Sequence, residues 1–365
     1  GSEAAAGGAP LGPPRAAELD AVRGAALLGM LYMHFVPVEP GTGFLAEASA
    51  AFARLLYGKS AALFFTVLGA SLAMRARRPG FAGLRDRGLW LRAAILFAGG
   101  QLLAATVWPT EVLRAAAVAT LVVATFAGRS PTFAAAVAAA AVAASPFVVA
   151  WAAPYASDVD DDGVHRFVAA GGATFLRGLF LNGPYPLLGW IAFPAFGAFL
   201  ARVAHGSRRA LERTFFFGLG VCTAMHLVLG ATGAGEFEAG HGPWWAPEWT
   251  PANATFLVLN AAFAAAAIAG VRWFVLAGPP DAATPLALRA LGRTTLTHYV
   301  LHLLVPFAIL RRYYPEEDWP AEVGLAVAGA YVAFAVWISR RFVRAGGGGP
   351  LERLSTRLAA PYRRP

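Results

Sequence analysis

The sequence predicts an all-α fold, a polytopic helical bundle embedded in a membrane, on three observations. Hydrophobic residues fill 58% of the 365 positions and charged residues only 14%, a balance too apolar for a water-soluble globule. Apolar runs close to the ~20 residues that cross a bilayer recur along the whole length, and in lipid each run must satisfy its own backbone, which selects helices. The connections between runs leave no room for a separate soluble domain. About ten spans are predicted, near 20–38, 58–75, 89–108, 111–127, 132–152, 185–203, 213–232, 254–276, 291–310 and 321–339. They form one transmembrane domain over 18–345, between a small, Pro/Gly-rich and disordered segment at 1–17 and a basic tail at 346–365.

Arginine placement orients the bundle, because positive residues near helix ends stay on the cytosolic side. With the N-terminus inside, the inner segments hold 23 of the 30 basic residues, among them "RARRPGFAGLRDR" and the tail, whereas the outer loops hold most of the acids, as in "SDVDDDG" and "YYPEEDWP". Both termini are therefore expected in the cytosol and the protein in the cell membrane. The net charge of +9 is explained by this asymmetry and by anionic lipid headgroups, so nucleic acid is not an expected partner. Membrane lipids are, and pairing of two copies is left open. Arginine supplies every basic residue but Lys59, a composition expected of a bacterial chain.

The first span, "LDAVRGAALLGMLYMHF", places Asp20, Arg23 and His34 in a run that is otherwise apolar. At 100° per residue, the eleven steps from Arg23 to His34 return within ~20° of the starting direction and rise about 16 Å, so the two share one stripe. Asp20 is three residues before Arg23, within reach of an i,i+3 ion pair. The three read either as an end pair with a packing histidine or as a polar face of functional use. The second span opens "YGKSAALFFTVLGASLAM", with Lys59 and Ser60 at its outer end and Gly58, Gly69 and Ser71 suited to a close helix contact.

Before the sixth span, Asn182-Gly183-Pro184 is a turn signal, and Tyr185 and Trp190 follow where interfacial anchors are expected. The seventh holds His226 and the single cysteine, Cys222, which excludes a disulfide framework and a CxxC metal site. In the ninth, "LGRTTLTHYVLHLLVPF", His298 and His302 are i,i+4 neighbours, with Thr295 in line and Arg293 at the inner end. No HExxH acid accompanies the pair, so a polar stripe is expected rather than a metal site. The loops "SDVDDDGVHRF" and "EFEAGHGPWWAPEWTPAN", with His165 and His241, are suited to an entrance or to the interface. Pro194 and Pro306 are expected to interrupt two helices.

Five segments in order, "LDAVRGAALLGMLYMHF", "YGKSAALFFTVLGASLAM", "NGPYPLLGWIAFPAFGAFLAR", "ALGRTTLTHYVLHLL" and "GPLERLSTRL", together resemble the bacterial YeiB-like family within the heparan-alpha-glucosaminide N-acetyltransferase superfamily. The first segment also resembles the type-three acyltransferases, whose first helix carries an arginine and a histidine separated by ten residues. The resemblance implies a membrane acyltransferase that takes an acyl group, acetyl first among the candidates, from cytosolic acyl-CoA and passes it to a glycan, a lipid-linked sugar or a small polar acceptor. It assigns His34 to proton abstraction, Asp20 to fixing Arg23, and Arg23 to the coenzyme. On chemical grounds His34 is also able to carry the acyl group, Lys59, Ser60 and Asn182 are candidates for the oxyanion, Arg293 for the coenzyme's phosphates, and Tyr185, Trp190, His298 and His302 for the coenzyme's surroundings. No metal is expected. The lysosomal branch has asparagine where His34 stands and its histidine in the following loop; residues 35–48 here contain none.

The chemistry agrees with that assignment. An alcohol or amine attacking a thioester must lose a proton, and imidazole titrates near neutral pH. A transporter or lipid-handling protein, using intramembrane His and Arg for protons or an anion, is the alternative reading.

Overall fold

A computed structural model describes residues 17–38, 42–108, 110–152, 172–203, 207–233, 247, 252–277, 279, 282–315 and 318–362. Among these residues the fold is helical, with no β-strand. The helices are α1 (Ala17–Phe35), α2 (Phe44–Leu56), α3 (Lys59–Ala76), α4 (Arg87–Thr106), α5 (Leu113–Phe126), α6 (Pro131–Ala152), α7 (Ala173–Arg177), α8 (Leu187–Trp190), α9 (Ala192–Val203), α10 (Arg208–Ala231), α11 (Ala254–Ala277), α12 (Ala283–Arg293), α13 (Thr295–His302), α14 (Ala308–Tyr313), α15 (Ala321–Arg344) and α16 (Pro350–Ala359). The segment 1–16 and the loops with His165 and His241 lie outside the described residues.

Seven helical stretches among the described residues are long and apolar enough to cross a membrane, which makes the protein a multi-pass membrane protein. Three of the predicted spans do not meet that measure. The first carries Glu18, Asp20 and Arg23 within its opening turns, the fourth is only the 14 residues of α5, and the ninth is divided. Its break at Thr294 separates α12 from α13, and a π-helical turn at Leu303–Phe307, containing Pro306, separates α13 from α14. Proline lacks the N–H that continues a helix, so a local change of winding at Pro306 is expected. These three carry ionisable groups. Helices α6, α10 and α15 turn most of their surfaces outward, whereas α3 is mostly buried.

Small residues set the closest contacts. A Cβ on Gly69 would lie 1.8 Å from the Pro194 carbonyl oxygen, and one on Gly197 would lie 1.8 Å from that of Thr66, so α3 and α9 meet backbone to backbone. The same holds where α1 meets α12. A Cβ on Gly24 would be 2.2 Å from the Leu288 oxygen and one on Gly292 would be 1.6 Å from the Asp20 oxygen. These pairings run antiparallel, and α13 then leads from Thr294 to bring His302 to the far end of α1.

Two local expectations change. The segment after α1, expected as a loop, folds into α2, whose Phe44, Leu45, Phe52 and Leu55 are exposed, an apolar face suited to lipid. Tyr32 Oη donates to the Ser49 carbonyl at 3.0 Å and holds this helix against α1. Gly58, at φ 69°, makes the corner into α3, a conformation that favours glycine. Trp190 is not an interfacial anchor: it is fully buried, with ring centroids 4.8 Å from Tyr185, 5.1 Å from Phe193, 5.4 Å from Phe65 and 5.5 Å from Phe256. Aromatic packing in the core outweighs the interface here, because a large ring contributes most when it is enclosed.

Candidate functional site

Polar side chains gather at both ends of α1. At the first end, Arg23 Nη1 donates to Asp20 Oδ1 at 2.5 Å, and Nη2 donates to Ser71 Oγ at 2.5 Å. Ser71 Oγ in turn donates to the Val67 carbonyl at 2.6 Å. The i,i+3 pair expected from spacing is present, and Ser71, expected as part of a small-residue seam, is a partner of the guanidinium. Asp20 is buried and Arg23 is about a quarter exposed. Gly292 packs on the Asp20 backbone, which places Arg293 at this end. Its Nε is buried without a hydrogen-bond partner among the described residues.

At the second end, His34 Nδ1 lies 2.7 Å from His302 Nε2, with the two rings nearly parallel at 5.0 Å between centroids. Nδ1 of His302 is 2.9 Å from the His298 carbonyl oxygen. A carbonyl can only accept, so His302 carries its proton on Nδ1 and its Nε2 accepts. His34 therefore donates from Nδ1, and its Nε2 keeps the lone pair. His302 is fully enclosed, whereas His34 is half-buried beside Trp108 and Phe307. The result is a neutral imidazole of fixed tautomer with its basic nitrogen away from the bond that fixes it.

Behind this pair lies a third set of groups. His298 Nε2 is 2.8 Å from Ser339 Oγ, which is 2.7 Å from Thr294 Oγ1; Tyr331 Oη stands 3.2 Å from both His298 Nδ1 and the His298 carbonyl oxygen. All of these side chains are buried. They come from α13, α15 and the break at Thr294, and Tyr331 holds the carbonyl on which the His302 tautomer depends. Glu352, on α16, ties the start of α13: its carboxylate accepts from the Thr297 backbone N–H at 3.1 Å and from Thr297 Oγ1 at 2.5 Å.

The remaining candidates are more scattered. Lys59 is buried at the first turn of α3, and Asn182 is buried at the end of the π-helical turn Gly178–Asn182. Neither is hydrogen-bonded to His34 among the described residues. Tyr185 stacks edge-on against Trp190. Thr295 Oγ1 donates to the Leu291 and Gly292 carbonyls in its own turn. Nδ1 of His226 donates to the Cys222 carbonyl at 2.8 Å, a bond satisfied within its own helix. Among the described residues no three His, Cys, Asp or Glu side chains are placed to share a metal ion.

Sequence reasoning missed a second ion pair. Arg114 Nε donates to Glu111 Oε1 at 2.5 Å, with the side chains 5% and 0% exposed. Its signal was the same i,i+3 spacing of acid and arginine as in α1, hidden in a short apolar run. Tyr299, which accepts from the Val112 backbone N–H at 3.1 Å, and Tyr331 and Ser339 had no local signal.

The heparan-alpha-glucosaminide N-acetyltransferase catalytic family model matches residues 15–226, more than half of the chain. A family described as a protein of unknown function, DUF418, matches 198–361. No curated protein matches the chain. The first match holds Asp20, Arg23, His34, Lys59, Asn182, Tyr185 and Trp190, and the second holds Arg293, His298 and His302, so the bond between His34 and His302 joins the two matched regions. The chain belongs to the heparan-alpha-glucosaminide N-acetyltransferase family, in its YeiB-like branch, and is a membrane protein of the N-acetyltransferase type.

Proposed function

We propose that the protein moves an acyl group, acetyl in the first instance, from cytosolic acyl-CoA to a glycan, a lipid-linked sugar or a small polar acceptor. The observation that carries this reading is the His34 imidazole, held by His302 in the tautomer that leaves Nε2 as the base. The acceptor's O–H or N–H gives its proton to that nitrogen as its oxygen or nitrogen attacks the thioester carbonyl. The C–S bond then breaks, and the departing thiolate takes the proton from the His34 imidazolium. Proton transfer to a positioned base of this kind contributes about 10²–10⁴-fold.

Arg23, held by Asp20 and Ser71, and Arg293, with its unpartnered Nε, are the cations for the coenzyme's phosphates, because guanidinium binds phosphate with charge-assisted hydrogen bonds. Lys59 and Asn182 donate to the thioester oxyanion once substrate lies between them and His34. In this reading both termini are cytosolic, in the cell membrane, and the acceptor approaches the His34 end from the other side.

The test is thermal unfolding of the purified protein with acetyl-CoA, CoA and adenosine diphosphate, followed by acyl transfer to a panel of acceptors. Coenzyme binding raises the apparent stability by mass action, and Arg23→Ala or Arg293→Ala reduces the rise. Flux that depends on a gradient, with no acylated product from any acceptor and no coenzyme effect, would establish the transporter instead.

A further inference from the structure

Helix α16 has no part in that mechanism. Its start is held at α13, where the Leu351 N–H donates to Thr297 Oγ1 at 3.1 Å and a Cβ on Gly349 would lie 2.4 Å from the same oxygen. Its other end is held at α4, where a Cβ on Gly88 would lie 3.7 Å from that of Ala359. Both anchors belong to the Arg23 end of the bundle. Gly88 is the second residue of α4, whose cap Asp86 pairs with Arg75, one turn beyond the Ser71 that holds Arg23. A Cβ on Gly348 would lie 3.0 Å from the Arg293 carbonyl oxygen. The ten residues of α16 therefore join two helix starts at one end of the bundle and follow neither span. The geometry points to α16 as an interfacial helix that docks on the anionic lipid headgroups of the leaflet at this end, the cytosolic one in the reading above, and so steadies the start of α13.

At about 100° per residue the side chains of α16 divide into three faces. Glu352, Ser355 and Ala359 fall within ~60° and meet the bundle: Ala359 is buried, and the Glu352 carboxylate accepts from Thr297. Leu351, Leu354 and Leu358 fall within another ~60°, and Leu354 and Leu358 remain 49% and 46% exposed. Arg353 and Arg357 make the third face. The first two are centred roughly 100° apart. With one face on the bundle, the leucines are directed at acyl chains and the arginines lie at headgroup level, as in a helix lying in the plane of the interface. Trp90, at the start of α4, is 49% exposed and donates Nε1 to the Leu84 carbonyl at 2.8 Å, which suits an indole at that level.

The charge around this helix is unbalanced. Arg85, Arg87, Arg344 and Arg357 are exposed and have no carboxylate partner among the described residues. The acids on the same segments are already engaged, Asp86 by Arg75 and the Leu89 N–H, and Glu352 by Thr297. Guanidinium meets phosphate with paired, charge-assisted hydrogen bonds, and each arginine near an anionic surface strengthens binding about fivefold. A lipid layer supplies both the phosphates and the apolar depth that the adjoining leucines need. The docked helix also reaches the histidine network, because Thr297, which it holds, directly precedes His298, whose carbonyl fixes the His302 tautomer.

The test is hydrogen exchange of the full chain in two kinds of nanodisc, phosphatidylcholine alone and phosphatidylcholine with phosphatidylglycerol in equal parts. Four proteins are compared: the unaltered chain, Arg357→Gln, Leu358→Gln and Glu352→Ala. In the unaltered chain phosphatidylglycerol is expected to slow exchange within 350–359, and at the Thr297 amide, by about fivefold or more. The slowing within 350–359 shrinks in Arg357→Gln and in Leu358→Gln, both changes at exposed positions. In Glu352→Ala it persists within 350–359 and is lost at Thr297. Equal exchange in the two bilayers overturns the docking, as does a slowing that neither Arg357→Gln nor Leu358→Gln reduces. A response at Thr297 that survives Glu352→Ala overturns the coupling to α13. Exchange is read without substrate, so a chain that transfers no acyl group to any acceptor would remove the acyltransferase reading and leave this result standing.

Discussion

His34 Nδ1 and His302 Nε2 are 2.7 Å apart across 268 positions of sequence. The first ring is half-buried and the second fully enclosed, and in the proposed mechanism the first meets substrate while the second fixes its tautomer. Their separate roles predict separate losses. His34→Ala lowers acyl transfer by at least ~10³-fold, whereas His302→Ala lowers it by about 10–100-fold and leaves the KM for acyl-CoA unchanged, within the range of general-base contributions. Steady-state kinetics with saturating acceptor check both; equal losses, or a loss confined to the donor KM, would place His302 with the coenzyme instead.

The Asp20–Arg23–Ser71 cluster predicts a graded series. Asp20→Asn leaves Arg23 without its buried carboxylate and lowers stability by about 1–3 kcal/mol, discounted because the guanidinium is partly exposed. Ser71→Ala removes one neutral partner and costs about 0.5–1.5 kcal/mol. Reversible unfolding in mixed micelles measures both, and a larger effect from Ser71→Ala would contradict the geometry.

Helix spacing predicts a contrast between two glycines. Gly292→Ala drives a methyl onto the Asp20 carbonyl, where α1 and α12 have no free space, and costs about 1–3 kcal/mol or more. Gly220→Ala, on α10 with nothing within 4 Å of the added Cβ, is expected to cause no loss. Thermal midpoints of the two variants, purified in parallel, provide the comparison.

The tail predicts a local rather than a global effect. Glu352→Ala removes both bonds to Thr297 and costs about 1–2 kcal/mol at the start of α13. Hydrogen exchange at Thr297 and Leu351 should accelerate and proteolysis within 346–362 should increase, while the midpoint of the whole bundle moves little. Unchanged exchange at both amides would show that α16 is held by its packing on α4 alone.

How far the sequence reaches differs from element to element. Apolar runs, the ion pair of Asp20 with Arg23 and the break at Pro306 were legible because each depends on neighbours within a turn or on a membrane's thickness. Helix α2 was missed because its apolar face continues without a pause into α3, and only Gly58 marks the corner. Trp190 was placed at the interface because composition says where tryptophan is common, not which aromatic rings will surround a given one. Glu111 and Arg114 had the right spacing but no context to distinguish a buried pair from a helix end.

The sequence by itself determined the all-helical membrane fold, the family, and the stripe shared by Arg23 and His34, since hydropathy and a 100° turn per residue act locally. Only the tertiary structure decided that His302 rather than Lys59 or Asn182 is bonded to His34, that Ser71 holds Arg23, and that Glu111 and Arg114 form a buried pair. Those contacts depend on helix rotation and crossing, which are set by where Gly24, Gly69, Gly197 and Gly292 let backbones meet. A glycine's place in the sequence does not show which carbonyl it will face.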